Sequence, residues 1–151
     1  MIRVRVLGGG DYRRLFDDED GYEVTHDDDF NLVCFTGGTD IDPDIYTDRR
    51  HPYTSASDYV RDSREIGLFR LCRELNIPMV GICRGAQLLC ALSGGKLYQH
   101  VTNHGTAHSM ITNEGDEMVV TSSHHQMMDV VTIEDAEVLG YTLPLADRYE
   151  T

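Results

Sequence analysis

Two short apolar runs with a helical pattern between them constrain this 151-residue chain more than any other feature. Residues 31–36 read NLVCFT and residues 79–82 read MVGI. Each is too short for a helix and is apolar without alternation, which marks a strand buried on both faces. Between them, over 58–75, Val60, Ile66, Leu68, Phe69, Leu71, Cys72 and Leu75 recur at helical spacing, mostly on one face, until Asn76 and Pro78 end the pattern. Residues 84–92 are strong helix formers closed by Ser93-Gly94-Gly95. Ahead of all this, residues 2–7 are β-rich and alternate with arginine before Gly8-Gly9-Gly10. The order strand, helix or loop, strand, helix, strand, helix calls for an α/β fold, a parallel sheet covered on both faces. Beyond Leu97 the pattern changes: residues 108–113, 117–121, 130–133 and 136–142 read as short strands, an antiparallel extension. Residues 39–57 carry little periodicity and read as loop. The acidic stretch 11–29 reads as a solvated helix and loop, without the Gly and distal Glu that an EF-hand calcium loop needs.

The length fits one domain over 1–151. A formal net charge of −13 argues against a nucleic-acid partner and against an anionic membrane surface, both of which reward clustered Lys and Arg. No apolar run approaches the ~20 residues that span a bilayer, and charges inside the first apolar stretch make it a strand and not a signal peptide. The four cysteines, Cys34, Cys72, Cys83 and Cys90, form no CxxC pair, so free thiols in a reducing compartment are expected, and with them a soluble cytoplasmic protein.

Cys83 stands between Gly81 and Gly85, after a strand and before a helix. A sharp strand–turn–helix corner would hold its side chain at the carboxyl edge of the sheet, where α/β folds bind ligands. Glycines fit where backbone segments approach closely. The positive end of the helix dipole favours thiolate, and the first helical amides face any oxyanion formed at the sulfur. The G-x-C-x-G spacing is the cysteine counterpart of the G-x-S-x-G elbow. The alternative is a small core cysteine. A thiol nucleophile needs a base, and VTSSHHQMM offers His124 and His125. Neighbours on a strand end point opposite ways, so only one can face the cysteine. His100, His104 and His108, spaced by four, would line one face of a helix and could hold zinc, but Gly105 and the threonines make that stretch a loop. No metal is expected.

Three segments together resemble the class I glutamine amidotransferases, nearest the branch of gamma-glutamyl hydrolases and gamma-glutamyl-gamma-aminobutyrate hydrolase. GICRGAQLL resembles the nucleophile segment, FTGGTDIDPDIY (35–46) the glycine-rich oxyanion loop, and SSHHQ the histidine segment; RDSRE (61–65) resembles the opening of the intervening helix. The resemblance runs from about Leu32 to Gln126 with the motifs in family order. It implies a flavodoxin-like three-layer sandwich with a mainly parallel central sheet. It also implies acyl transfer without a cofactor: Cys83 attacks the gamma-carbonyl of glutamine or a gamma-glutamyl compound, backbone N–H groups of Gly38 and Arg84 hold the oxyanion, and His124 moves the protons. Gly37, Gln87, Arg61 and His125 become candidates for contact with the small-molecule substrate. For Gln87 an ordinary helix-surface role stays open, and for Arg61 a structural ion pair with Asp62 or Glu65.

The family's third catalytic residue is a glutamate in a C-terminal H-P-E segment, which this sequence lacks, and the chain is shorter than the branch at its C-terminus. A fragment, a Cys–His dyad, or an orienting carboxylate borrowed from Asp129, Glu134 or Glu137 are the alternatives, with loss of catalysis as a further one. The functions to weigh are a hydrolase acting alone, a glutaminase subunit feeding ammonia to a separate synthetase or amidoligase, and a non-catalytic or metal-binding module. A homodimer through apolar surfaces is an open alternative.

Overall fold

The computed structural model describes residues 1–8, 11–16, 20–47, 49–102, 104–142 and 149–150. Both apolar runs form strands, but only that within 31–36 is buried at the centre; that within 79–82 is not buried on both faces as expected, because it lies at the edge of the sheet, where Val80 is 38% exposed. β1 (Ile2–Leu7), β2 (Tyr22–Thr25), β3 (Leu32–Phe35) and β4 (Met79–Gly81) build one four-stranded parallel sheet in the order β2-β1-β3-β4. Between β3 and β4 runs α1 (Tyr59–Leu75), and after β4 comes α2 (Arg84–Leu92). The Asp58 side chain caps α1 by accepting the Arg61 N–H at 3.0 Å, and Asn76 ends it in the left-handed conformation. Val33, Phe35, Ile41, Phe69, Cys72 and Leu88 close the core between sheet and helices.

The remaining strands form small antiparallel units. β5 (Lys96–Tyr98) pairs with β9 (Met127–Asp129), and β6 (His100–Val101) with β11 (Tyr149–Glu150). β7 (Ala107–Thr112) pairs with both β8 (Glu117–Thr121) and β10 (Gly140–Thr142). The fold is thus the expected α/β class with an antiparallel extension. No described helix is long and apolar enough to cross a membrane.

Three local expectations need correction. The acidic stretch holds a short 3-10 turn at Tyr12–Leu15 and the strand β2, because Tyr22, Val24 and Thr25 are β formers that complete the open edge of β1. Residues 130–133 are a turn and not a strand: the Ile133 N–H bonds back to the Val130 carbonyl at 2.9 Å while both side chains pack on the core. The buried face of α1 is also not the apolar stripe. It carries Asp62 and Glu65 beside Phe69 and Cys72, while Val60 stands out in solvent. The glycine turn at 9–10 and the acidic residues 17–19 lie outside the described residues.

Register decides where the site forms. Leu7 pairs with Phe35, and Phe35 with Gly81, so three strands end level at one carboxyl edge. Gly8, the loop from Thr36, and Cys83 all leave from that edge.

Candidate active site

Cys83 sits at the N-cap of α2 with φ 54° and ψ −115°, a conformation that costs a non-glycine residue about 1–3 kcal/mol. The corner is pinned on both sides. The Ile82 N–H donates to the Phe35 carbonyl at 2.9 Å and the Gly85 N–H to the Ile82 carbonyl at 2.9 Å. A Cβ at Gly81 would lie 2.5 Å from the Ala86 nitrogen, and one at Gly85 would run into the Phe35 carbonyl. Both flanking glycines are therefore steric requirements of the corner. Cys83 is the one exposed thiol of the four; burial pushes Cys34 and Cys72 up and takes Cys90 to about 11. Nucleophilic chemistry on sulfur is thereby confined to one position.

A cavity of about 320 Å³ opens beside that thiol, lined by Cys83, Gln87, Ser122, His124, Met127 and Met128 among others. Two larger clefts, of about 660 and 500 Å³, lie elsewhere and contain neither Cys83 nor His124. The two adjacent histidines do point opposite ways. His124 faces the cavity, half-buried, with its ring 5.2 Å from that of His104. His125 turns away, its Nε2 lying 3.1 Å from an Asp40 carboxylate oxygen and its ring 5.7 Å from His100.

The Nδ1 of His124 lies 2.9 Å from the main-chain carbonyl of Gln126. A carbonyl only accepts, so in the neutral ring Nδ1 carries the proton and Nε2 is left as the base. Gln87, buried on α2, donates its Nε2 to the same carbonyl at 3.3 Å. Among the described residues no carboxylate pairs with His124; the Asp129 carboxylate accepts the Val131 N–H at 3.1 Å. Burial holds the His124 imidazole below its usual range, partly opposed by the Gln126 carbonyl and reinforced by His104, His108 and His125.

On the other side of the thiol lies the loop of Gly37 and Gly38. A Cβ at Gly37 would be 3.6 Å from the Cys83 Cβ and 2.5 Å from the Tyr12 hydroxyl oxygen. Gly38 has φ +154°. Neither the Gly38 nor the Arg84 N–H finds a protein acceptor among the described residues. Arg61 supports this loop from beneath: Nη1 donates to the Gly37 carbonyl at 3.0 Å, Nη2 to the Thr36 carbonyl at 3.0 Å, and Nε to Glu65 at 2.7 Å. The Arg84 guanidinium is buried and paired with both Asp62 and Glu65. Burial pushes the Asp62 carboxyl up, and Arg84 draws it part of the way back.

The candidates therefore fall into groups. Cys83, Gln87 and His124 share a cavity, with Gly37 packed behind the thiol. His125 is occupied with Asp40 and Arg61 with Glu65 and the loop carbonyls. His100, His104 and His108 do not gather on one face, and no described group of three or more His, Cys, Asp or Glu is placed to hold a metal. Tyr12, the side chain of Arg84 and the Gln126 carbonyl escaped the sequence reading, whereas the structural alternative for Arg61, an ion pair with Glu65, is the one formed. Nothing in the residues around Tyr12 signals its place. Arg61 and Arg84 did carry a signal, since each puts a cation at a helix N-terminus against the dipole.

The chain matches the Peptidase C26 family over residues 24–141. The Mycobacterium tuberculosis protein Rv2859c, named for a glutamine amidotransferase, is 31% identical and covers 81% of this chain and 50% of its own length. The glutamine amidotransferase-like protein YvdE of Lactococcus lactis is 28% identical over 72% of this chain and 43% of its own length. The chain thus spans about half the length of these curated relatives. Among solved structures, a glutamine amidotransferase from Thermotoga maritima superposes with a TM-score of 0.61 at 18% identity, covering 99% of this chain and 69% of its own. A Thermoplasma acidophilum protein named for a GMP synthase component gives a TM-score of 0.59 at 15% identity, covering 94% and 73%.

Proposed function

The chain belongs to the Peptidase C26 family, within the class I glutamine amidotransferase-like superfamily, and from that footing we propose that it hydrolyses the gamma-amide bond of glutamine or a gamma-glutamyl compound through a thioester on Cys83. We place it in the gamma-glutamyl hydrolase branch. The observation that carries the reading is the single exposed thiol, held on a strained corner and sharing a cavity with an imidazole whose Nδ1 is already engaged.

In the proposed sequence the Cys83 thiol gives its proton to His124 Nε2 as the sulfur attacks the gamma-carbonyl carbon, forming a C–S bond and an oxyanion that the Gly38 and Arg84 N–H groups bind. As the tetrahedral species collapses, the C–N bond breaks and the leaving amine takes a proton from His124 Nε2. Water then gives a proton to Nε2 as it attacks the thioester, the C–S bond breaks with the sulfur taking that proton back, and glutamate leaves. The Gln126 carbonyl fills the place of the orienting carboxylate by fixing the Nδ1–H tautomer. Being uncharged, it stabilises the imidazolium less than a carboxylate does. A cytoplasmic setting fits four free thiols.

A second reading keeps the same chemistry and sends the released ammonia to a separate synthetase or amidoligase. The solved neighbour named for a GMP synthase component has this fold.

Labelling with 6-diazo-5-oxo-norleucine, located by mass spectrometry and compared with His124→Ala, tests the site. An adduct on Cys83 that needs His124 is expected. Failure of Cys83 to react, while it still alkylates with iodoacetamide, would exclude the hydrolase acting alone and leave a fragment, a glutaminase silent without its partner, or a non-catalytic module. Unaided glutamine turnover separates the lone hydrolase from the partner-dependent glutaminase.

A further inference from the structure

We propose that Glu65 is a positioning residue that holds both halves of the oxyanion site through one carboxylate. The inference rests on the reading of the Gly38 and Arg84 N–H groups as oxyanion donors. One Glu65 oxygen, Oε1, accepts Arg61 Nε at 2.7 Å; the other, Oε2, accepts Arg84 Nη1. Arg61 in turn grips the carbonyls of Thr36 and Gly37 at 3.0 Å each, the two peptide units that lead into Gly38. Arg84 is itself the residue whose backbone N–H opens α2 beside Cys83. The chain of contacts therefore runs from one oxyanion donor to the other across a single buried side chain.

Local preferences do not account for this arrangement. Within α1 the pair runs Arg61 to Glu65, cation first, the weaker order for an i,i+4 pair in a helix. Arg61 and Arg84 both oppose the dipole of their own helix. The guanidinium of Arg61 also needs room that side chains would take: a Cβ at Gly38 would collide with its Nη1, and one at Gly8 would lie 2.5 Å from its Nη2. Arg61, Glu65, Arg84 and Asp62 balance two positive and two negative charges with side-chain exposures of 18%, 2%, 1% and 4%. Locally unfavourable choices that agree only at one place mark a functional constraint. Here that place is the seam between the glycine loop and the elbow.

Glu65→Gln keeps the shape and leaves one acceptor, turning an NH2 towards one of the two guanidinium groups and opening that clamp. The test compares two reactions of Cys83. Glutaric semialdehyde adds the thiol across its C=O as a hemithioacetal, placing a new oxygen where the oxyanion would sit. Iodoacetamide forms an S–C bond as iodide leaves and builds no such oxygen. We expect aldehyde affinity and glutamine kcat to fall together by roughly 10²-fold, the loss of about one oxyanion donor, with the alkylation rate unchanged within about twofold and KM little changed. Equal aldehyde affinity in wild type and Glu65→Gln would overturn the proposal while leaving the catalytic reading intact. No aldehyde adduct in a wild type that still alkylates would remove the catalytic reading and this proposal with it. Should Glu65→Gln unfold, seen as alkylation of the buried Cys34, Cys72 and Cys90, Arg61→Lys is read the same way; it keeps a charge for Glu65 and loses the grip on two carbonyls. The same aldehyde-selective loss is expected. Unfolding of both variants would assign the network to stability and overturn the positioning role.

Discussion

His124 and Gln87 meet on a single atom. The carbonyl oxygen of Gln126 lies 2.9 Å from His124 Nδ1 and accepts Gln87 Nε2 at 3.3 Å. A helix residue one turn beyond Cys83 thus steadies the group that orients the imidazole. Gln87→Leu removes one neutral hydrogen bond, worth about 1 kcal/mol, and should lower kcat about fivefold with KM little changed. Steady-state kinetics on glutamine decide it; a loss confined to KM would make Gln87 a substrate contact instead.

Burial and three neighbouring imidazoles keep the His124 ring below 6.5. Its neutral form is the one that can take a proton from water, so the acid limb of kcat should lie below pH 6.5 with a plateau above it. An acid limb centred at or above 6.5 would show that burial does not depress the ring in the working enzyme, and an acid limb unchanged in His124→Ala would remove His124 from the base role.

The same depression is a stability term. Folded His124 binds its proton more weakly than the unfolded chain does, so its contribution is fully present above pH 6.5 and is lost as pH falls through the lowered value. His124→Gln should flatten that part of the dependence in urea titrations run from pH 7 downwards. An unchanged slope below 6.5 would show that other groups carry it.

At φ 54° and ψ −115°, position 83 suits glycine. Cys83→Gly should abolish labelling and turnover while raising stability by about 1 kcal/mol, from relief of strain. Denaturant unfolding beside the activity assay tests this; a less stable Cys83→Gly would mean that the corner is not strained.

Glycines in tight and open settings should respond oppositely. A Cβ at Gly85 strikes the Phe35 backbone, whereas one at Gly67, inside α1, meets nothing within 4 Å. Gly85→Ala should cost about 2–3 kcal/mol by overpacking, and Gly67→Ala should add up to about 1 kcal/mol through helix propensity. Thermal melts of the two variants would show Tm moving in opposite directions.

Much of this was legible along the chain. Short apolar runs specified β3 and β4, periodicity specified α1, a run of helix formers closed by Ser93-Gly94-Gly95 specified α2, and the spacing of Gly81, Cys83 and Gly85 marked the corner, because these signals depend on residues within a few positions of one another. β2 was hidden because its strand pairing is decided by an open edge on β1, some twenty positions away. The apolar stripe of α1 misled for a similar reason: what that helix buries is set by the Arg84 guanidinium on α2, which draws Asp62 and Glu65 inwards. Local sequence thus determined the class of fold and the position of the thiol. Only the tertiary structure decided that a main-chain carbonyl would face the His124 ring, and that one buried carboxylate would join Arg61 to Arg84. A carbonyl is present at every residue and a carboxylate at many, so neither is distinctive until the fold brings its partner within about 3 Å.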